Sequence, residues 1–472
     1  MQIRTKIVAT IGPASATPDR LSELARAGVD TFRVNFSHGT PEQRQGFLDA
    51  IRQVEDELGE PLAVMADLCG PKIRVGPVCG GSVLLVEGQQ LIIQREPVEG
   101  SAERISTTLP ELVDEADPGE TILINDGQIK LVVDRVNPPD EIVTRVERSG
   151  VLSSGKGVNL PHTNLTLSAL TEKDRSDAAW IAQRDFDFVA LSFVRSADDV
   201  KTLRELLERD GCDAHIISKI EKPQALDHIE EIIQVVDGVM VARGDLGVEI
   251  DLPSVPVAQK RIALLAQQAG KPCIIATQML ESMTHSAVPT RAEVSDVANA
   301  VLDHADAVML SGETAVGDYP VQTVAMMNRI VAEVQAYHDE LCQTPPARLA
   351  RLPIAAAVAG GVKGILNEEE IAAVCVFTAT GATARALAKS RPARPILAIS
   401  PSQRSVRRMC LYYGVQARQA DAPEHTREVL ALFERFAKDL GIASPGEKLV
   451  VVSGRPIGQP GAANTIVVHT VS

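Results

Sequence analysis

Short apolar segments alternate with amphipathic stretches along most of the chain. Most positions in these segments are apolar, which is typical of strands buried on both faces of a parallel sheet. Helix start signals such as Thr17-Pro18, Thr40-Pro41 and Thr171-Glu172 follow several of them. The segments interpreted as strands cover residues 6–12, 31–37, 62–68, 187–194, 215–221, 238–244, 272–278 and 307–312.

The number of strand–helix units indicates the fold class. The count stops at eight, which favours an α/β fold of the (β/α)8 barrel type. A doubly wound parallel sheet is the main alternative. We expect residues 1–68 and 166–342 to form this barrel.

A different pattern interrupts the barrel after its third strand. Residues 69–165 contain alternating strands and hairpin signals, among them Asn125-Asp126-Gly127, with almost no helical periodicity. This segment is predicted to be an inserted all-β domain. Insertion at the carboxyl end of a barrel strand places it at the catalytic rim, where it can act as a lid.

The last part of the chain is predicted to fold separately. Residues 343–353 read as a Pro-rich linker, and the long preceding helix is expected to run to about His338. Residues 343–472 are assigned to a C-terminal α/β domain with a regulatory role. Its predicted strands cover residues 371–377, 395–400, 448–454 and 464–471.

Composition narrows the possible partners and the compartment. The net charge of −15 argues against a nucleic-acid partner, because phosphate backbones bind basic surfaces. No apolar run reaches the length of about 18 residues that a membrane span requires. Seven dispersed cysteines without CxxC spacing, and an N-terminus without a signal-peptide pattern, predict a cytoplasmic protein with reduced thiols. A small anionic ligand would need a local cluster of cations or a metal.

Polar residues collect at the carboxyl ends of the predicted barrel strands, where such barrels carry their sites. Residues two apart on a strand share a face, so Arg33, Asn35 and Ser37 are expected to point together, as are Lys219 and Glu221. The strand-end residues are Arg33, Asn35, Ser37, Asp67, Ser192, Lys219, Glu221, Asp245, Thr277, Ser311 and Glu313.

Glu221 and Asp245 form a candidate metal site. They end consecutive strands, whose axes lie about 4.8 Å apart. Mg²⁺ commonly takes one or two protein carboxylates and completes its shell with water and substrate oxygens. Either acid alone would more often be a solvated loop residue or an ion-pair partner, and Lys219 could simply pair with Glu221. With Arg33, the set describes an electrostatic clamp for a transferring phosphoryl group.

Several longer segments match the motifs of one family, in that family's order. On these motifs the chain resembles the pyruvate kinases over nearly all of its length. The resemblance implies the last step of glycolysis, in which the phosphoryl group of phosphoenolpyruvate passes to ADP to give pyruvate and ATP, and a homotetrameric enzyme. The segments are TKIVATIGPAS, FRVNFSHG, KGVNLP, LTEKD, ISKIEKP, MVARGDLGVEI, ATQMLESM, PTRAEVSDVANAV and MLSGETAVGDYP.

The resemblance also implies roles for the strand-end residues. Glu221 and Asp245 would hold Mg²⁺ or Mn²⁺, and Lys219 would stabilise the charge on the phosphoryl group and the enolate. Arg33 would clamp the phosphate, with Ser192 also on the substrate side. The Gly244 and Asp245 amides with Thr277 would hold the substrate carboxylate. Thr277, Ser311 and Glu313 would lie near the face where the enolate is protonated.

The same resemblance implies which residues would bind the nucleotide. ADP would bring a second Mg²⁺, and closure of the inserted domain would exclude water, which otherwise competes with ADP for the phosphoryl group. The residues implied on this side are Asn35, His38, Arg74 and Lys156.

One departure from many family members concerns the monovalent cation. The potassium pocket would consist of Asn35, Ser37, Asp67 and the Leu68 carbonyl. Members that need K⁺ carry a glutamate where this chain has Lys72, whose ammonium can supply the missing positive charge. The sequence therefore predicts activity that does not require K⁺.

A Thr-rich loop in the C-terminal domain is a candidate effector site. Hydroxyls and amides at a helix N-terminus can bind phosphate, although the same pattern also suits an ordinary helix cap. The loop resembles the family's effector loop, which implies a phosphorylated allosteric activator. Ala382 stands where many relatives have arginine, and this favours a sugar monophosphate or AMP over a bisphosphate. The loop residues are Thr378, Thr380, Gly381 and Thr383.

Two alternatives remain from the sequence. One is another Mg²⁺-dependent barrel enzyme that handles phosphoenolpyruvate or pyruvate, although those enzymes lack the inserted β domain and its KGVNLP segment. The other is a catalytically silent regulator that binds sugar phosphates, against which the intact Lys219, Glu221, Asp245 and Arg33 speak.

Overall fold

The computed structural model describes residues 3–161, 163, 168–341, 353–423, 425–454 and 463–472. Its first segment alternates strands and helices. Thr17 and Thr40 cap the two helices, each followed by proline in the first turn, and Gly28 and Gly59 end them in the left-handed conformation. The elements are β1 (Lys6–Thr10), α1 (Pro18–Ala27), β2 (Thr31–Asn35), α2 (Pro41–Leu58) and β3 (Ala63–Asp67).

The inserted segment is almost entirely β structure, as predicted. The predicted hairpin turns at Asn125, Asp126 and Gly127, which all have positive φ. The elements are β4 (Ser82–Leu85), β5 (Gln90–Gln94), β6 (Arg104–Ser106), α3 (Leu112–Glu115), β7 (Thr121–Ile124), β8 (Ile129–Asn137), β9 (Glu141–Arg148), β10 (Gly150–Ser153) and β11 (Val158–Asn159). They form a six-stranded sheet in the order β11-β7-β8-β9-β5-β6 and a two-stranded sheet, β10-β4, around an apolar core of their own.

Strand–helix alternation then resumes. The elements are α4 (Glu172–Ala182), β12 (Phe188–Leu191), α5 (Ala197–Arg209), β13 (His215–Ile220), α6 (Pro223–Asp227), α7 (Ile229–Val235), β14 (Gly238–Ala242), α8 (Arg243–Glu249), α9 (Val255–Gln268), β15 (Cys273–Ala276), α10 (Arg291–Leu302), β16 (Ala307–Leu310), α11 (Gly312–Ala315) and α12 (Pro320–Leu341). Eight parallel strands close in the order β1-β16-β15-β14-β13-β12-β3-β2. The predicted barrel is confirmed, and the doubly wound alternative is wrong.

All eight predicted barrel strands exist, but they end earlier than the sequence suggested. The segments 238–244 and 307–312 show why. Arg243 begins α8 directly after β14, and Gly312 begins α11 just after β16. The last residues of these apolar segments therefore turn into short helices at the carboxyl rim, which brings backbone amides and polar side chains over the barrel opening.

The C-terminal part contains a second parallel sheet. Its elements are α13 (Pro353–Glu368), β17 (Ile371–Phe377), α14 (Ala382–Lys389), β18 (Ile396–Ser400), α15 (Gln403–Met409), β19 (Val415–Gln419), α16 (Thr426–Asp439), β20 (Lys448–Gly454) and β21 (Ala463–Thr470). The strand order is β19-β18-β17-β20-β21, with β21 antiparallel. Strand β19 was not predicted, because its residues VQARQ are largely polar and form no apolar run. The expected boundaries at 165/166 and 342/343, and the linker up to residue 352, lie outside the described residues.

Buried ion pairs join the C-terminal domain to the barrel. Asp306 lies just before β16 and its carboxylate contacts Lys389 Nζ and, at 3.3 Å, Arg391 Nη2. The same carboxylate accepts a hydrogen bond from Cys273 N at 2.8 Å. Asp306 and Lys389 each have about 1 % of the side chain exposed. Separating the two domains would leave these buried charges unpaired, which costs free energy, so the ion pairs hold the domains together.

Within the described ranges, no helix combines the length and the apolar character that crossing a bilayer requires.

Candidate active site

Lys219 occupies the centre of the polar cluster at the carboxyl rim. Its Nζ lies 2.9 Å from Glu221 Oε1 and 3.4 Å from Asp67 Oδ1, and donates to Ser192 Oγ at 2.8 Å. Burial opposes the charge on Lys219, but the carboxylates of Asp67 and Glu221 outweigh it and raise the pKa of the ammonium. The predicted alignment of Lys219 with Glu221 is confirmed, and the ammonium stays charged.

Arg33 shares the carboxylate of Asp67 with Lys219. Both Arg33 Nε and Nη2 lie 2.6 Å from Asp67 Oδ2, and Nη1 donates to Thr10 Oγ1 at 2.9 Å. Burial tends to raise the pKa of Asp67, but Arg33 and Lys219 lower it below its ordinary value. The ionised Asp67 therefore fixes two cations side by side at the barrel opening.

The charge of Asp245 acts on the neighbouring Glu221 carboxylate. Glu221 Oε2 accepts a hydrogen bond from Phe193 N at 2.8 Å. Burial raises the pKa of Glu221, as does the neighbouring charge of Asp245, against the lowering effect of Lys219. Asp245 is less buried and has Lys72 Nζ 3.4 Å from its Oδ1. Two hard oxygen donors that repel each other suit a divalent cation, which would relieve that repulsion.

Thr277 follows β15 in an unusual conformation next to the start of α8. Its φ is 70°, and Gln278 has φ 55°. Thr277 Oγ1 accepts a hydrogen bond from Gly244 N at 2.7 Å and donates to Ala276 O at 2.6 Å. The structure thus brings Thr277 and the Gly244 amide together, as expected for groups that share one ligand.

Ser311 and Glu313 lie at the end of β16. Glu313 is fully buried, and its carboxylate accepts backbone hydrogen bonds from Ser311 N at 2.7 Å and Leu280 N at 3.2 Å. Burial raises the pKa of Glu313. Ser311 Oγ is buried and makes no hydrogen bond to a described residue. Glu313 therefore fixes the backbone around a buried hydroxyl that has no hydrogen-bond partner among the described residues.

The residues predicted for the nucleotide side fall into two groups. Asn35 and His38 line a cleft of about 970 Å³ beside the rim, together with the loop that follows β1. Arg74 and Lys156 lie on the inserted domain, where Arg74 Nη1 donates to Gly155 O at 2.9 Å and Val75 N donates to Lys156 O at 2.8 Å. The two groups do not line this cleft together.

Two oxygen atoms of the predicted potassium pocket accept hydrogen bonds from other groups of the protein. Asn35 Oδ1 accepts from Ser37 N at 3.0 Å, and Leu68 O accepts from Ser192 Oγ at 2.7 Å. Lys72, expected to supply a positive charge here, has its ion pair with Asp245. The structure thus puts this charge beside the candidate metal ligand.

The Thr-rich loop of the C-terminal domain caps α14. Gly381, with φ 79°, is the N-cap residue, and its N donates to Thr378 Oγ1 at 3.1 Å. Thr378 is buried, Thr383 half-buried and Thr380 exposed. Part of the hydroxyl set therefore closes the loop, and Thr380 faces outward.

Contacts between the inserted domain and α8 were not predicted. Asn159 Nδ2 donates to the buried Glu249 Oε1 at 2.8 Å, and Lys222 Nζ lies 2.6 Å from the same oxygen. The sequence shows that KGVNLP and RGDLGVEI carry polar residues but gives no indication that these two segments meet.

The fold and the rim define a class of protein. It is a (β/α)8-barrel enzyme with an inserted β domain, in which fixed cations face paired carboxylates. Family models described as the pyruvate kinase barrel domain and the pyruvate kinase alpha/beta domain match residues 2–324 and 356–469. The chain therefore belongs to the pyruvate kinase family, whose members are phosphotransferases that generally depend on a divalent metal ion.

Curated relatives agree over the whole length. The pyruvate kinase of Methylorubrum extorquens is 40% identical over 98% of this chain and 96% of its own. The pyruvate kinase of Mycobacterium tuberculosis is 40% identical over 100% of this chain and 99% of its own. The pyruvate kinase of Geobacillus stearothermophilus is 41% identical over 100% of this chain and 81% of its own. These relatives and the inserted domain disfavour an aldolase- or lyase-type barrel.

Proposed function

We propose that this protein transfers the phosphoryl group of phosphoenolpyruvate to ADP, giving pyruvate and ATP in the cytoplasm. The bond between phosphorus and the enol oxygen breaks, an ADP oxygen bonds to phosphorus, and the enolate takes a proton at its methylene carbon. The observation that carries the proposal is the position of the Lys219 ammonium, which contacts Asp67, Glu221 and Ser192. Arg33 pairs with the carboxylate of Asp67 beside it. Fixed cations of this kind stabilise charge that develops during phosphoryl transfer.

Glu221 and Asp245 would hold the Mg²⁺ or Mn²⁺ ion of the substrate site. When bound, the ion would supply Lewis-acid stabilisation of the substrate oxygens. A second Mg²⁺ would arrive with ADP. The donor chemistry of the two carboxylates and the effect of the Asp245 charge on Glu221 support this assignment.

The remaining rim residues would orient the substrate and supply its proton. Arg33 would clamp the phosphate, and Lys219 would stabilise the charge on the phosphoryl group and on the enolate. Gly244 and Asp245 amides with Thr277 would bind the carboxylate, displacing the hydrogen bond that now joins Gly244 to Thr277. Ser311 would line the face on which the proton arrives.

ADP would occupy the cleft beside Asn35 and His38. Arg74 and Lys156 would reach the nucleotide when the inserted domain closes over the rim. Closure would also exclude water from the transferring phosphoryl group.

The direct test is ATP formation from phosphoenolpyruvate and ADP, measured by chromatography of quenched samples so that the readout itself needs no metal ion. We expect turnover with Mg²⁺ and none after chelation with EDTA, recovered on adding Mg²⁺ or Mn²⁺. Absence of ATP under every metal condition would instead favour the catalytically silent regulator.

Potassium independence is a separate prediction. We expect the rate in buffer free of Na⁺ and K⁺ to change less than about twofold on adding K⁺, because Lys72 stands where K⁺-dependent members carry a glutamate and adds a fixed positive charge to the rim. The matched variant is Lys72→Glu, for which we expect K⁺ to become stimulating. A large stimulation of the unaltered protein by K⁺ would contradict the prediction.

The Thr378–Thr383 loop is proposed to bind a phosphorylated activator, with a sugar monophosphate or AMP favoured. The glycine N-cap of an eight-residue helix and the exposed Thr380 support this. We expect the activator to lower the half-saturating concentration of phosphoenolpyruvate, and Thr380→Val to weaken that response. No shift with any phosphorylated metabolite would contradict it. A homotetramer remains the expected assembly.

A further inference from the structure

Thr277 holds a backbone conformation that its side chain disfavours. Its φ of 70° lies in the left-handed region, and Gln278 follows with φ 55°. β-branched residues rarely adopt this conformation, and such residues persist only where surrounding contacts hold them. The nearest candidate for such a contact is the residue that begins α8.

Arg243 binds the backbone of this turn directly. Its Nη2 donates to Thr277 O at 2.7 Å and to Gln278 O at 3.4 Å. Its Nη1 donates to Asp296 Oδ1 at 2.7 Å and Gln259 Oε1 at 3.4 Å, and only 10 % of the side chain is exposed. One planar guanidinium therefore joins the turn after β15 to α9 and α10.

The adjacent residue holds the other end of Thr277. Gly244 N donates to Thr277 Oγ1 at 2.7 Å. Consecutive residues of α8 thus fix both the carbonyl and the hydroxyl of Thr277. Without the guanidinium, the carbonyl loses its charged donor and the turn is free to relax toward ordinary φ, which moves the hydroxyl away from the substrate side.

We infer that Arg243 is a positioning residue that sets the place of the Thr277 hydroxyl, and through it the protonation of the enolate. The inference rests on the proposed function. Lysine cannot replace Arg243 fully, because an ammonium lacks the planar fork that reaches a carbonyl and a carboxylate together. Asp296 supports the same guanidinium and acts one step further away.

The experiment compares Arg243→Met and Arg243→Lys with a matched control, Arg204→Met. Arg204 also bridges a carbonyl and a carboxylate, Val235 O at 3.2 Å and Asp237 Oδ2 at 2.8 Å, but lies on the outside of the barrel. One readout is kcat for ATP formation with the KM for ADP. The other is exchange of pyruvate methyl protons into D2O, followed by NMR, which reports proton transfer at carbon.

For Arg243→Met we expect kcat and the exchange rate each to fall about 100-fold, the size of effect that a misplaced group produces. The KM for ADP stays within about twofold, and Arg243→Lys recovers part of both rates. Arg204→Met keeps both rates. A merely structural role would not give a matched loss of exchange and turnover with ADP binding intact.

Two results would overturn the inference: an Arg243→Met protein with unchanged kcat, or one with lowered kcat and unchanged proton exchange. If this variant does not fold, Arg243→Lys and Asp296→Asn carry the same comparison, with smaller losses expected in both rates. If the unaltered protein makes no ATP, the proposed function itself fails, which is a different result.

Discussion

Replacing Lys219 by methionine is expected to lower kcat roughly a thousandfold, the loss typical of removing one preorganised charge from a transition state. Methionine keeps most of the length of the side chain but has no ammonium. Asp67 and Glu221 would then lose the ammonium that now contacts both of them, and a phosphoryl group would meet their negative charge. The measurement is steady-state ATP formation with saturating phosphoenolpyruvate and ADP.

The matched control for this variant is Lys201→Met. Lys201 also forms an ion pair, with Asp198 at 2.7 Å, but lies exposed on α5. We expect it to keep full activity. Because the pKa of Lys219 is raised above the ordinary lysine value, deprotonation of this group is not expected to limit the unaltered enzyme up to about pH 10. A Lys219→Met protein that keeps more than a tenth of kcat would contradict the proposed role.

Replacing Asp306 by leucine is expected to lower the free energy of unfolding by about 3–5 kcal/mol, because it leaves buried cations without a partner. Lys389 Nζ and Arg391 Nη2 both contact this carboxylate from the C-terminal domain. Burial already lowers the pKa of Lys389, which shows how unfavourable its unpaired charge would be. Denaturant titration, followed by circular dichroism, measures the change.

A double variant separates the loss of the pair from the loss of packing. Asp306→Leu combined with Lys389→Met removes the charges of Asp306 and Lys389 and leaves only Arg391 without this carboxylate, so it should be more stable than Asp306→Leu alone. Asp198→Ala, which breaks an exposed pair with Lys201, should leave the titration curve unchanged. If Asp306→Leu unfolds at the same denaturant concentration as the unaltered protein, the buried pair does not hold the domains.

The barrel could be predicted because its signal is local. Each strand is a short apolar segment. Thr17 marks the start of the helix after the first strand, and Thr40 marks the start of the helix after the second. The parallel arrangement then brings all strand ends to one rim, so residue type and position were enough to propose Lys219 and Glu221 as neighbours. Their 2.9 Å contact confirms that step.

Contacts between distant segments could not be predicted in the same way. Asp67 was expected only in a potassium pocket, yet it pairs with both Arg33 and Lys219. Lys72 was expected near that pocket, and its partner is Asp245. Which of several nearby carboxylates an ammonium contacts depends on side-chain geometry that spacing along the chain does not encode.

The charges at the rim cancel before any ligand enters. The ion pairs are Arg33 with Asp67, Lys219 with Glu221 and Lys72 with Asp245. A dication alone would leave this neutral set with a surplus of positive charge, and a phosphorylated acid alone with a surplus of negative charge. Arriving together, the two nearly compensate each other. Mutual reinforcement of metal and substrate affinity would thus be a consequence of electroneutrality, since each would make the other easier to accommodate.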